Sequence, residues 1–128
     1  MHYIITFSTS KFDVTLEDQN PVNPIHGQSL LLWLKNRVAA TALLTEPATE
    51  DWGWYSTMAW QGRVYLLGAS ADKSDSVDEY DWVFQVDKQR SFMETLFGRH
   101  KMTESDGCLL FFKAVFDAEP SFKNVKIE

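Results

Sequence analysis

Cysteine is almost missing from this 128-residue chain: Cys108 stands alone, so no intramolecular disulfide can form and no oxidising compartment is called for. Long apolar runs are missing too. Leu30–Leu34 is short and Lys113 interrupts the stretch around Phe111 and Phe112, so nothing approaches the roughly 20 apolar residues of a membrane span. The opening residues Met1–Phe7 carry no basic leader, and their apolar stretch is too short for a secretion signal. Positive charge is in deficit, with 12 Lys and Arg against 18 Asp and Glu, a formal net charge of −6, which excludes a general attraction to phosphates. These absences predict a cytoplasmic protein with neither a nucleic-acid nor a membrane partner. A basic protein is the partner the charge suggests.

Apolar residues are plentiful, at 45% with 14% aromatic, enough to form one core without a metal or a disulfide. One domain over residues 1–128 is expected. Charge is unevenly placed: Asp72–Asp81 holds five acids against Lys73, whereas Lys88–Lys101 holds four Lys and Arg against Glu94. An acidic surface loop and a separate basic region follow.

Tyr3–Phe7 reads as an opening strand, and Phe12, Val14 and Leu16 alternate with polar neighbours as a second one would. Asn23 is placed to N-cap a helix with Pro24 at its first position, and Leu30, Leu31, Leu34 and Val38 give that helix an apolar stripe. Thr45–Asp51 reads as a returning loop. Trp52–Trp60 and Arg63–Ala69 flank Gln61-Gly62, the signature of a hairpin, and Tyr80–Val86 alternates as a further strand. Ser91 and Glu94 have capping-box spacing ahead of Phe92, Met93, Leu96 and Phe97, with Gly98 as the stop. Thr103 and Asp106 repeat that spacing before a longer helix with the stripe Cys108, Leu109, Phe112, Val115 and Phe116, and with Asp106, Lys113 and Asp117 on its other side. Pro120 ends that helix, and Phe122–Ile127 alternates as a last strand.

No catalytic constellation is legible in the chain. Cys108 lies on an apolar stripe, where a thiol is structural rather than nucleophilic. His2, His26 and His100 lack metal-ligand spacing, and Asp72, Asp75, Asp78 and Asp81 recur every third residue, with Val77 where a calcium loop needs glycine. No phosphate-binding glycine motif or nucleophile elbow occurs. No metal and no cofactor are therefore predicted.

The most distinctive local feature is Glu50-Asp51-Trp52-Gly53-Trp54-Tyr55. In a regular strand Trp52, Trp54 and Trp60 would point to one face, as core residues against the helices. The rival reading leaves Trp52 or Trp54 exposed beside Glu50 and Asp51, as at a protein-binding hot spot.

Glu50–Trp54, Tyr65–Gly68 and Arg90–Arg99 resemble segments of small uncharacterised bacterial proteins. The resemblance spans under half of the chain and includes no catalytic signature. It implies a bacterial, cytoplasmic, single-domain protein and brings no activity.

The expected fold is a two-layer α+β domain, a mostly antiparallel sheet with helices packed on one face. The expected function is a non-catalytic protein-interaction or inhibitor-like module that meets a basic partner surface through Glu50, Asp51, Trp52, Trp54, Asp78, Glu79 and Asp81. The alternative is a small enzyme or ligand-binding protein with an aromatic-lined pocket between sheet and helices, in which Arg63, Arg90, Arg99 and His100 would bind an anion or ligand.

Overall fold

The computed structural model describes residues 3–128; His2 lies outside the described residues. Six antiparallel strands form one sheet in the order β2-β3-β4-β5-β1-β6. In chain order they are β1 (Tyr3–Thr9), β2 (Ala48–Glu50), β3 (Gly53–Trp60), β4 (Arg63–Lys73), β5 (Tyr80–Lys88) and β6 (Lys123–Ile127). The helices are α1 (Gln28–Arg37), α2 (Phe92–Leu96) and α3 (Gly107–Asp117). The expected α+β architecture is the one observed.

Strand alternation decides the two faces. Ile5 and Phe7 of β1, Trp54 and Met58 of β3, Tyr65, Leu67 and Ala69 of β4, and Trp82, Phe84 and Val86 of β5 are buried on one side. Against that side α1 sets Leu30, Leu31 and Leu34, and α3 sets Cys108, Leu109, Phe112 and Phe116. Aromatic rings fill the space between layers, with Phe84 against Phe112 at 5.0 Å and Phe7 stacked on Phe122 at 4.2 Å. Cys108 is fully buried, and burial together with the Asp106 charge pushes its thiol up to about 12. Among the described residues the opposite face carries no helix, and it presents Ile4, Tyr55, Leu66, Val83 and Gln85.

Several local expectations need correction. Phe12–Leu16 forms no strand; the Asp13 carboxylate accepts from the Thr15 N–H and turns Val14–Leu16 into a short 3₁₀ helix. Helix α1 starts at Gln28, not at Pro24. Gly27 is its N-cap and has no side chain to offer, so the buried Glu17 carboxylate serves instead, accepting from Gly27 N at 3.0 Å and Ser29 N at 2.8 Å. The returning loop contains β2, because residues 48–50 pair with β3. Strands β4 and β5 run on into the acidic segment, which places Asp72 opposite Asp81 and leaves residues 74–79 as the hairpin connection.

Register also defines the two ends of the sheet. At one end lie the β2–β3 turn, the β4–β5 connection and the segment after β1. At the other lie the Gln61-Gly62 hairpin, with both residues at positive φ, and the chain that leaves β5 for α2. The first gathers the acidic segment. The second gathers the basic one.

Candidate interaction surfaces

Trp52 is the first residue the structure separates from its neighbours. Strand β3 begins at Gly53, whose φ of +148° turns the chain after Asp51 and Trp52, so strand parity does not extend back to residue 52. Trp54 faces the core, 4% exposed, with its indole N–H donating to Ile25 O at 3.0 Å. Trp60 packs against Phe111 at 4.9 Å. Trp52 instead lies on the helix-free face, 37% exposed, with its ring over Gly68. A Cβ at residue 68 would stand 2.7 Å from that ring, so the glycine is what lets the indole approach the sheet this closely.

The backbone that carries Trp52 is held from beneath. Asn20 is buried, and its amide nitrogen donates to Glu50 O at 2.9 Å and Gly53 O at 3.0 Å, while its oxygen accepts from Val22 N and Asn23 N. The Asn23 amide donates to Asp51 O at 2.8 Å. That use replaces the helix-capping role expected for Asn23. The Asn20 nitrogen thus holds the turn at 50–53 while its oxygen fixes the segment at 20–23, and tying the two together sets the position of Trp52 between Glu50, Asp51 and the sheet.

Of the residues expected to meet a partner, Glu50, Asp51 and Trp52 are exposed at this end of the sheet, and Asp78 and Asp81 are exposed at the same end. Trp54 is buried and unavailable. Glu79 is mostly covered and pairs with Lys123 at 2.9 Å, and Asp81 accepts from the Ser8 hydroxyl at 2.6 Å.

The other expected group, Arg63, Arg90, Arg99 and His100, gathers around α2 and not at a pocket between sheet and helices. Arg63 forks onto both oxygens of Glu94, at 3.0 and 2.7 Å, and also donates to Gln89 O. His100 Nε2 lies 3.6 Å from Glu94, Arg90 donates to Arg99 O at 3.1 Å, and Arg99 sits 5.7 Å over the Phe97 ring. The expected capping box is complete, with Ser91 Oγ accepting from Glu94 N and Glu94 accepting from Ser91 N. The Arg63 hydrogen bond, helped by Ser91 N–H, holds the Glu94 carboxyl down at about 2. In return it raises Arg63.

What the sequence did not reveal is that the apolar side chains of α2 stand largely open to solvent. Phe92, Met93, Leu96 and Phe97 are 78%, 55%, 62% and 60% exposed. An amphipathic pattern predicts which residues share a face and is silent on whether that face is covered.

Behind α2 lies one deep polar anchor. Asp106 was expected on the solvent side of α3, three residues after a Thr103 cap; it is instead the N-cap itself and is buried. One oxygen accepts from Cys108 N at 2.9 Å and Leu109 N at 3.3 Å, and the other meets Tyr65 OH at 2.9 Å and Lys88 Nζ at 2.8 Å. Burial raises the Asp106 carboxyl, but the hydrogen bonds from Lys88 and Tyr65 outweigh it and leave its pKa below the ordinary value. Burial, then the bond to Asp106, raises the Tyr65 phenol. A carboxylate with four donors and a phenol held protonated make a helix cap, not an acid–base pair.

Among the described residues, no three His, Cys, Asp or Glu side chains lie together as metal ligands would. No helix of the described residues is long and apolar enough to cross a membrane. No protein-family model, no curated protein and no solved structure matches the chain.

Proposed function

We propose that this protein is a non-catalytic interaction module that meets a basic protein surface through the Trp52 end of its sheet. One observation carries the reading: Trp52 lies exposed on the helix-free face, seated on Gly68 and flanked by Glu50 and Asp51, in a turn fixed by buried Asn20. A large aromatic side chain held in place before binding loses little conformational freedom on association, which is how hot-spot anchors act. The exposed acids around it and on the β4–β5 connection supply steering toward a basic surface.

A photo-reactive amino acid at Asp51, an exposed position beside the anchor, tests this in cells of the source organism. The expected product is an adduct with a protein whose binding weakens with salt. With that partner in hand, Trp52→Ala should mainly speed dissociation, and Asp78→Asn with Asp81→Asn should mainly slow association. Absence of any protein adduct, together with a metabolite that co-purifies in stoichiometric amount, would replace this reading with the ligand-binding alternative.

A further inference from the structure

We infer that the basic surface met by the Trp52 end is the α2 end of a second copy of this chain. The inference rests on the interaction-module reading above and names its partner.

The two ends are complementary in charge and alike in apolar exposure. At the α2 end, Arg90, Arg99 and Lys101 have no carboxylate partner among the described residues, and Phe92, Met93, Leu96 and Phe97 stand in solvent beside them. At the Trp52 end, Asp72, Asp75 and Asp78 are exposed with Val77, which is 86% exposed. Apolar side chains at both ends supply the contact, and opposite charges orient it.

The fold keeps these ends from neutralising each other within one molecule. The eight residues of β3 set them roughly 25 Å apart at the usual rise per residue, about three Debye lengths at physiological salt. Complementarity that the chain cannot satisfy alone is available to a neighbour. Two α2 ends would not serve, because symmetric pairing sets Arg90, Arg99 and Lys101 against their own copies. An anionic bilayer is also a poorer match, since three unpaired cations fall short of the roughly four to eight that hold proteins to such surfaces. The contact is head to tail. Each copy leaves one end of each kind open, so growth continues until a ring closes.

Sedimentation velocity of the full chain tests the inference. At about 50 mM salt the weight-average sedimentation coefficient should rise with protein concentration, and about 500 mM salt should weaken the association by about tenfold or more. Two variants separate the ends: Leu96→Ser with Phe97→Ser, and Asp75→Asn with Asp78→Asn. All four residues are exposed, and asparagine suits the positive φ of Asp78, so both variants should keep the wild-type circular dichroism. Each variant alone should be monomeric, and an equimolar mixture should form a dimer that grows no further.

Three results would overturn the inference: a wild-type chain that stays monomeric throughout, an acid variant that associates as wild type does, or vesicles of phosphatidylglycerol that take up the protein through α2. In each case an adduct from residue 51 to a different basic protein would leave the interaction-module reading standing.

Discussion

The two ends of the sheet are closed in opposite ways. At the Trp52 end the polar bonds lie underneath: Asn20 and the Glu17 carboxylate are buried, the Trp54 indole N–H is bonded, and the surface they support carries acids around one aromatic ring. At the α2 end the apolar groups lie outside, and the bonds that hold the helix, Arg63 to Glu94 and the capping box, are themselves near solvent. Polar bonds that are out of water are worth more and are costlier to break than those in it. The first end is therefore a rigid platform, and the second is a helix held at its base.

The largest effect expected from breaking this contrast is at Gly53. An alanine Cβ there would lie 2.4 Å from Ala69 O, a backbone atom with little freedom to withdraw, at a φ that L-residues rarely adopt. Gly53→Ala should lower stability by about 3 kcal/mol or more in urea unfolding. Trp52 should leave its seat as well, seen as a red shift in fluorescence. Wild-type stability in this variant would mean that the platform is not rigid.

Next in size is Asp106, the deep anchor behind α2. Asp106→Ala removes a helix cap and leaves Lys88 and Tyr65 without their partner, at an expected cost of about 3 kcal/mol. Asp106→Asn keeps a capping oxygen and should lose less. Equal losses in the two variants would show that the cap contributes nothing and that the bonds to Lys88 and Tyr65 contribute everything. Alkylation of Cys108 should report the same opening, since a buried thiol raised to about 12 reacts only when the core opens.

What was legible in the sequence were the features set by neighbours along the chain. The Cys108 stripe, the Gln61-Gly62 hairpin and the Ser91–Glu94 box each follow from spacing, and each is observed. What was not legible depends on residues far apart. Nothing along the chain marks Asn20 as the residue that reaches Glu50 O and Gly53 O, and Glu17 shows no sign in sequence that it caps a helix ten residues later. The core reading of Trp52 fails by a single residue of strand boundary, enough to reverse its face, and the rival reading of an exposed Trp52 is the one observed. The Thr103–Asp106 spacing mimics a capping box, although the helix starts after Asp106.

Smaller in global effect, and sharper as a comparison, is Arg63→Ala. It removes both hydrogen bonds to Glu94 and the one to Gln89 O. Solvent-near pairs contribute little to overall stability, so the urea midpoint should stay close to wild type while amide exchange rises at residues 92–97. Exchange at Trp54 and Ser56 should not change. A spread of faster exchange into β3 would mean that α2 is part of the platform and not an appendage.

The smallest perturbation is acid, and it should act on one end before the other. Glu94 titrates at about 2 in the folded protein, against an ordinary value of 4.5, because Arg63 and the Ser91 N–H bind its charged form, with His100 nearby adding its charge. A folded-state pKa below the unfolded one means that the unfolded chain binds more protons in this window. The stability that Glu94 contributes is therefore complete above about pH 4.5 and is lost as pH falls toward 2. Asp106, at the same end, is shifted in the same direction. Amide exchange measured at pH 4 and again near pH 2.5, corrected for the intrinsic pH dependence of exchange, should show α2 and the start of α3 opening while the turn under Trp52 stays protected. Glu94→Gln should remove most of that pH dependence from α2. If the Asn20 turn opens first, or if Glu94→Gln leaves the α2 profile unchanged, the Arg63–Glu94 pair is not what holds this helix in place.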